Sequence, residues 1–341
     1  MTLDEISIIL VYSAMAVYAI AFIAYAIDLA RRSAVATAAV AEPAVAEPVE
    51  ASATRVGRSA STSSASGKGS AASASRSSAN GSAVAYGRSP SLRVGVALTV
   101  VAWLLHIAGT VTRGIAAERV PWANMYEFAL TGTLVITTVF LLVLVVSKHD
   151  LRFLGTFVTG LVLVLLGVAT VNFYVSVVPL PPALQSAWLV IHVFVATSAV
   201  GFLALGFALS VVQLLQSRRE LIVASAKSAK QSFLATLPDS ATLENLAYRV
   251  IIIGFILWTF TLMAGAIWAE AAWGRYWGWD TKEVWTFIIW VVYAGYIHAR
   301  ATRGWRGSRS AWLAIIGFST VLFNFTVVNL FFKGLHAYSG L

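Results

Sequence analysis

The stretch WGRYWGWDTKE, Trp273 to Glu283, joins two segments that are each apolar and long enough to cross a bilayer. These segments are Val250–Trp268 and Val284–Ala299, and a spanning helix needs roughly 20 apolar residues. The stretch, here called the tryptophan loop (273–283), is therefore predicted to lie at a membrane surface. Its aromatic rings, interleaved with charged side chains, are typical of a platform for a large, flat, mostly apolar ligand.

The composition extends this interpretation to the whole chain. Hydrophobic residues make up 59% of the 341 residues and charged residues only 11%. No soluble domain of this length needs so much apolar surface, so we predict an all-α polytopic membrane protein. The eight predicted spans are Ile6–Leu29, Val94–Val111, Tyr126–Val146, Phe153–Asn172, Ala187–Leu215, Val250–Trp268, Val284–Ala299 and Ala311–Phe332.

Three regions follow from the pattern along the chain. Residues 1–32 are predicted to be a retained transmembrane helix, because Asp4 and Glu5 precede the apolar run where a signal peptide would be basic. Residues 33–91 consist largely of Ala, Ser, Gly and Arg, and we expect a disordered cytoplasmic linker there. Residues 92–341 form the predicted membrane core, which contains the tryptophan loop.

Lysine and arginine set the predicted orientation. With the N-terminus outside, the inner segments hold 19 of the 24 basic residues, as the positive-inside rule requires. The net charge of +9 therefore reports orientation, and we expect no nucleic-acid partner. The sequence has no cysteine, so any thiol redox chemistry must belong to a partner.

This orientation places the five histidines. His192, near the outer end of the fifth span, and His336, after the eighth, lie on the same side as the tryptophan loop. His298 closes the seventh span near the inner face, and His106 lies within the second span. His149 lies in a short inner loop, where we expect no functional role.

The outer side offers what a haem site needs: apolar walls, opposed imidazoles and cations for the propionates. His192 and His336 are the candidate iron ligands. The candidate walls are Trp273, Tyr276, Trp277 and Trp279, with Trp268 and Trp285 close by, and the candidate propionate partners are Arg275, Lys282 and Arg113. Asp280 is expected to fix the loop by hydrogen bonds, as is Glu283.

Other interpretations of these residues stay open. Tryptophans also concentrate at membrane interfaces for amphipathic reasons alone. His298 is a candidate ligand of a second haem, a proton acceptor or an interfacial residue, and His106 is equally suited to a hydrogen bond between helices. The segment RGIAAERVPWANMYEFAL, Arg113 to Leu130, is either a helix-capping arrangement around Glu127 or a wall of the outer pocket.

The segment WGRYWGWDTKEVWTFIIWVVYAGYIHAR, Trp273 to Arg300, resembles the tryptophan-rich WWD signature of haem-handling membrane proteins. Together with the flanking histidines and PWANMYEF, it is similar to the cytochrome c biogenesis proteins of the CcsA/ResC type, called CcsB in actinobacteria, of System II. The resemblance covers about residues 94–341. It implies that His192 and His336 ligate haem against the loop, and that His298 serves a haem deeper in the membrane.

The resemblance also implies a task and partners. Haem b would be carried as cargo to the extracytoplasmic side of a bacterial plasma membrane and presented to an apocytochrome c with a CxxCH motif. The chain would be a subunit of a cytochrome c haem-lyase (synthase) complex. A ResB-type membrane subunit would supply the other ligand of the inner haem, for which His106 is the only candidate here, and a thioredoxin-like reductase is a further candidate partner.

Three rival functions remain at this point. A System I haem-delivery protein of the CcmC type shares the loop, but the eight spans and PWANMYEF favour System II. A diheme b-type cytochrome would hold haem permanently for electron transfer. A transporter for an apolar anion would use the tryptophans without haem, so the visible spectrum separates it from the other two.

Overall fold

The computed structural model describes residues 1–41, 89–177, 185–225, 232–302, 304–332 and 334–336. Most of the predicted linker, as well as Arg303 and Lys333, lies outside the described residues. Within them the chain forms helices and no strand, as predicted. The helices are α1 (Leu3–Ala41), α2 (Pro90–Ala116), α3 (Met125–Val146), α4 (Gly155–Asn172), α5 (Ala187–Ala224), α6 (Ser240–Trp273), α7 (Thr281–Thr302), α8 (Ser308–Phe323) and α9 (Asn329–Phe331).

Several helices are longer than their predicted spans because polar residues at their ends continue the helical backbone beyond the apolar run. The sixth helix begins at Ser240 rather than near Val250, and the Asp239 side chain caps it by accepting from the Thr242 N–H at 2.6 Å. At the C-terminus, α8 continues through a π-helical turn, Asn324–Val328, into α9. Such turns are frequent at functional sites.

Seven stretches of the described residues are long and apolar enough to span a membrane: the helices α1 to α6 and the continuous stretch from α8 through α9. The helix α7 does not meet this criterion. It is less apolar because it carries tryptophans, tyrosines, His298 and Arg300. Its geometry nevertheless takes it back along α6, because Arg300 near its end bonds Glu244 near the start of α6 at 2.7 Å. The seventh predicted span, Val284–Ala299, is thus a 22-residue helix whose composition alone is a weak signal of a membrane span.

Helix ends define the two ends of the bundle. At one end, Arg113 at the end of α2 meets Asp4 of α1, Glu127 of α3 and the Val175 carbonyl after α4. This end also carries the tryptophan loop, because the α9 residue Asn329 bonds both Lys282 and Met125. We call it the loop end. The first helix packs along α2 and α4, so it is part of the bundle.

Candidate functional site

The tryptophan loop is shaped by two residues with left-handed backbone and by one carboxylate. Gly274 (φ 69°) ends α6, and Trp279 (φ 58°) adopts the same region although it has a side chain. Glu283 Oε2 accepts from the N–H groups of Gly278 at 2.8 Å and Asp280 at 3.0 Å. Since Glu283 thereby caps the start of α7, the Asp280 carboxylate is left to bind outside the loop.

The Asp280 carboxylate binds His336. Its Oδ2 lies 2.7 Å from His336 Nδ1, and its Oδ1 accepts from the Leu335 N–H at 3.2 Å. The hydrogen bond from His336 holds the pKa of Asp280 below its usual range. With the proton on Nδ1 facing a carboxylate, the Nε2 lone pair of His336 is available to a metal.

His192 is also held through Nδ1, but by a main-chain carbonyl group instead of a carboxylate. Its Nδ1 lies 3.0 Å from the Thr261 carbonyl oxygen, which accepts the Nδ1 proton. The ring fits there because Gly265 has no side chain: a Cβ at that position would lie 2.8 Å from His192 Cε1. Nε2 is again left without a hydrogen-bond partner among the described residues.

A shared indole and two shared cavities bring these histidines together. His192 stacks on Trp268 at 5.8 Å between ring centroids, and His336 meets the edge of Trp268 at 5.5 Å and of Trp273 at 4.9 Å. Both imidazoles, with Lys282, line two adjoining cavities at the loop end. Two imidazoles that are anchored through Nδ1, with no hydrogen bond at Nε2 among the described residues, form a donor set that fits a haem iron.

The loop aromatics divide into two groups. Trp273 packs against His336, while Tyr276 and Trp277 line one of the cavities. Trp279 is 76% exposed and meets Trp277 in a T-shaped contact with 5.9 Å between ring centroids, so most of its surface is open. Arg275 is also exposed, with its guanidinium over Gly278, and it lines none of these cavities.

The cations predicted to meet propionates are placed differently from one another. Lys282 faces both cavities and donates to Asn329 Oδ1. Arg113 does not face them, and its prediction as a propionate partner is wrong. Its guanidinium is fully buried and committed to Asp4 and to Glu127, because burial in this apolar bundle requires charge pairing.

Both interpretations of the segment Arg113 to Leu130 hold. Asn124 caps α3, and the Glu127 carboxylate accepts from the Ala123 N–H at 2.9 Å and from Arg119 at 2.6 Å. The same segment also walls one cavity, where Trp122, Asn124, Met125 and Phe128 face His192. The capping arrangement therefore fixes the wall.

The other three histidines lie away from this pair. His298 is exposed on α7, on the far side of the bundle from the loop end. His106 is fully buried between helices, with Nε2 2.9 Å from the Leu130 carbonyl oxygen and Nδ1 3.5 Å from the Tyr18 hydroxyl. Both nitrogens thus have an oxygen neighbour, and in this arrangement His106 links helices by hydrogen bonds. His149 is exposed in the short loop after α3.

Several residues of the site were not singled out from the sequence. Gly265 leaves the space that the His192 ring occupies, and the Thr261 carbonyl oxygen accepts a hydrogen bond from that ring. Glu283 was expected to fix the loop by hydrogen bonds, and the Asp-Thr-Lys-Glu spacing at 280–283 is a capping-box pattern that accounts for its bonds to the loop. Trp122 and Asn124 carried no such pattern, because their contact with the cavity depends on how α3 and α5 pack.

Comparisons with known proteins agree with this geometry. The family model "Cytochrome C assembly protein" matches residues 122–336, which includes both held histidines. A "Cytochrome c biogenesis protein CcsA" of Guillardia theta is 35% identical over 263 residues, covering 73% of this chain and 86% of that protein. One of Synechococcus elongatus is 35% identical over 284 residues, covering 72% and 87%.

A solved structure resembles the chain in fold. It is "Cytochrome c Heme Lyase CcmF", with a TM-score of 0.60 and 15% sequence identity. The match covers all of this chain and 49% of the other, so the chain spans about half of that protein's length. At this identity the likeness is one of fold alone.

Proposed function

This chain belongs to the cytochrome c assembly protein family and is a multi-pass membrane protein of the CcsA type. We propose that it moves haem b to the extracytoplasmic side of the membrane and presents it there to an apocytochrome c. One observation carries the proposal. At the loop end, two imidazoles that are each anchored through Nδ1 line the same two cavities, and neither Nε2 has a hydrogen bond among the described residues.

The site would hold haem as cargo between His192 and His336. Trp273 and Trp277 would cover the ring, with Tyr276 at the margin. Lys282 supplies a buried positive charge within the same cavities. Trp279 and Arg275 lie exposed on the outer surface of the loop, where an incoming protein would meet them. The loop end would then face the extracytoplasmic side, as the distribution of basic residues predicts.

Attachment of haem to an apocytochrome adds two thiols across the two vinyl groups. Each sulfur bonds one vinyl carbon and a hydrogen bonds the other, so no external oxidant or reductant is consumed. The site offers no nucleophile of its own for this step. Catalysis would consist of holding the porphyrin while the substrate thiols approach, and the substrate histidine would replace His192 or His336 on the iron.

Partners are part of the proposal. The chain acts in a cytochrome c assembly complex, and we infer a ResB-type subunit that packs against the α7 face carrying His298. On that face His298 is exposed and without a second histidine from this chain, since His106 is engaged elsewhere. An inner haem would therefore take its other ligand from the partner. A thioredoxin-like reductase would keep the substrate thiols reduced, because this chain has no cysteine.

The proposal is tested by purifying the full chain with its co-expressed partner and recording the visible spectrum. Replacing His192 or His336 by Ala should lower haem at the loop-end site and cytochrome c maturation, and added imidazole should partly restore both. His149→Ala is the control and should match wild type. If both variants keep wild-type haem spectra and maturation, the ligand assignment is wrong.

The same preparation separates a carrier from an electron-transfer cytochrome. A carrier should give up its haem to a peptide containing CxxCH and leave a covalent thioether product. Retention of all haem under these conditions would favour a permanent diheme cytochrome instead.

A further inference from the structure

Three residues that carry hydrogen-bond donors line the cavity beside the two histidines, and none of them forms an ion pair within 4 Å among the described residues. The donors are the Trp122 indole N–H, the Asn124 amide group and the Lys282 ammonium group. Trp122 Nε1 and Asn124 Nδ2 are buried and have no hydrogen-bond partner at all. Buried donors without partners are rare and costly, so this set points to a missing acceptor.

The orientation of Asn124 is fixed by its role as a helix cap. Its Oδ1 accepts from the Glu127 N–H at 2.9 Å, and a cap requires the oxygen at this position. The NH₂ group must therefore point the other way, and Asn124 lies 5% exposed in the cavity wall. The unpaired amide donor thus follows from backbone chemistry and does not depend on how oxygen and nitrogen are assigned.

Lys282 contributes charge without a paired carboxylate. Its contact is the neutral Asn329 amide oxygen, and Asn329 in turn donates to Met125 Sδ at 3.3 Å. The other described cations near this wall are already paired with carboxylates. Arg113 and Arg119 bind Glu127, with Asp4 as a further partner of Arg113. Lys282 is therefore the described cation that lines this cavity without a salt bridge, and the nearest acidic partner, Asp280, is bound to His336.

We propose that Trp122, Asn124 and Lys282 form a carboxylate subsite that takes a haem propionate. This inference rests on the proposed function, because it uses the haem held by His192 and His336. Propionates and vinyl groups lie at opposite edges of the porphyrin. Anchoring the propionate edge at the α3 wall directs the vinyl edge toward the cavity lined by Tyr276 and Trp277.

This orientation has a functional consequence. Tyr276 is 63% exposed and Trp279, next to Trp277, is 76% exposed, so the vinyl edge would lie where the chain surface is open. The subsite would thus decide which edge of the haem the substrate thiols reach, and hence the orientation of haem in the product.

The experiment compares haem with haem dimethyl ester, whose propionates are capped, on the full chain with its partner. Three variants remove donors with little change in shape: Trp122→Phe, Lys282→Gln and Asn124→Asp, which keeps the helix cap. The measured quantity is the ratio of dissociation constants, ester over diacid, relative to wild type. Matched controls are Trp312→Phe, on the exposed surface of α8, and Lys148→Gln, in the loop after α3.

Wild type should prefer the diacid by about tenfold or more, since a charge-assisted hydrogen bond contributes on that order. Each donor variant should lower this preference at least several-fold while affinity for the ester stays within about twofold. Unchanged preference in all three variants overturns the subsite, and bis-histidine spectra with intact maturation would show that the proposed function survives. Loss of both diacid and ester binding in wild type would overturn both.

Discussion

Two kinds of histidine environment in this bundle differ in how many ring nitrogens are hydrogen-bonded. At His106 both ring nitrogens meet oxygen atoms, those of Leu130 and Tyr18, so the imidazole links three helices. At His192 and His336 only Nδ1 is held, by the Thr261 carbonyl and by Asp280. His106 is fully buried while His192 and His336 are partly buried, and the number of hydrogen-bonded ring nitrogens is the difference that bears on metal binding.

The two open histidines also differ from each other. His192 is held by main chain and packed against a glycine of α6, so its position depends on helix packing. His336 is held by a carboxylate from the tryptophan loop, near the end of the chain. A ligand that must leave the iron during transfer suits the second environment better, because one side-chain hydrogen bond is easier to rearrange than a helix contact.

The largest expected effect on haem binding comes from Gly265→Ala, which tests whether the held position of His192 is needed for haem binding. The added Cβ would lie 2.8 Å from Cε1 and 2.9 Å from Nδ1 of His192, so the ring must leave the Thr261 carbonyl. We expect haem affinity to fall about 100-fold, the upper range for loss of a ligand's supporting contact. Haem titration of the purified chain with its partner measures this.

Gly295→Ala provides the control for that substitution. Gly295 lies within α7, and a Cβ there meets nothing within 4 Å. Its haem affinity should equal that of wild type. If Gly265→Ala also binds haem with wild-type affinity, the hydrogen bond between His192 and the Thr261 carbonyl is not needed for haem binding.

A smaller effect is expected from Asp280→Asn. The amide oxygen still accepts from His336 Nδ1, but the negative charge that supports the imidazole is lost, which should weaken haem binding about tenfold. Because the hydrogen bond keeps the pKa of Asp280 below its usual range, wild type should retain haem as pH falls through the ordinary carboxyl range. It should lose this support only at still lower pH, through the depressed pKa.

The matched control is Asp150→Asn, which removes an exposed ion pair with Arg152 in the loop after α3. Haem release to an excess of apo-acceptor protein, followed from neutral to acidic pH, compares the variants. A pH profile of Asp280→Asn that overlays wild type would remove Asp280 from the support of His336.

Most of the fold was predictable, because apolar runs and basic loops determine helices and their order. The shared side of His192, His336 and the tryptophan loop followed from topology alone. The helix ends were less predictable: α6 starts ten residues early since a polar first turn carries no hydropathy signal. Ligation by these two histidines stays a prediction.

The contacts within the site depend on packing that no sequence pattern encodes. Gly265 matters only because α5 and α6 bring it against His192. Arg113 was expected to meet a propionate, but the acidic residues Asp4 and Glu127 come from other helices and hold it first. Such pairings depend on which helix ends meet, and spacing along one chain does not determine them.

The smallest effect on haem binding is expected from a substitution of His106, the histidine whose two ring nitrogens both contact oxygen atoms. His106→Ala leaves the Leu130 carbonyl and the Tyr18 hydroxyl without their partner in a buried position. Unfolding free energy should fall by about 1–3 kcal/mol, the cost of an unsatisfied buried group. Haem content per folded molecule and its spectrum should match wild type, and added imidazole should not restore the lost stability. A spectrum altered in the manner of His192→Ala would show that an imidazole with both nitrogens engaged still serves the iron, and the distinction between the two environments would fail.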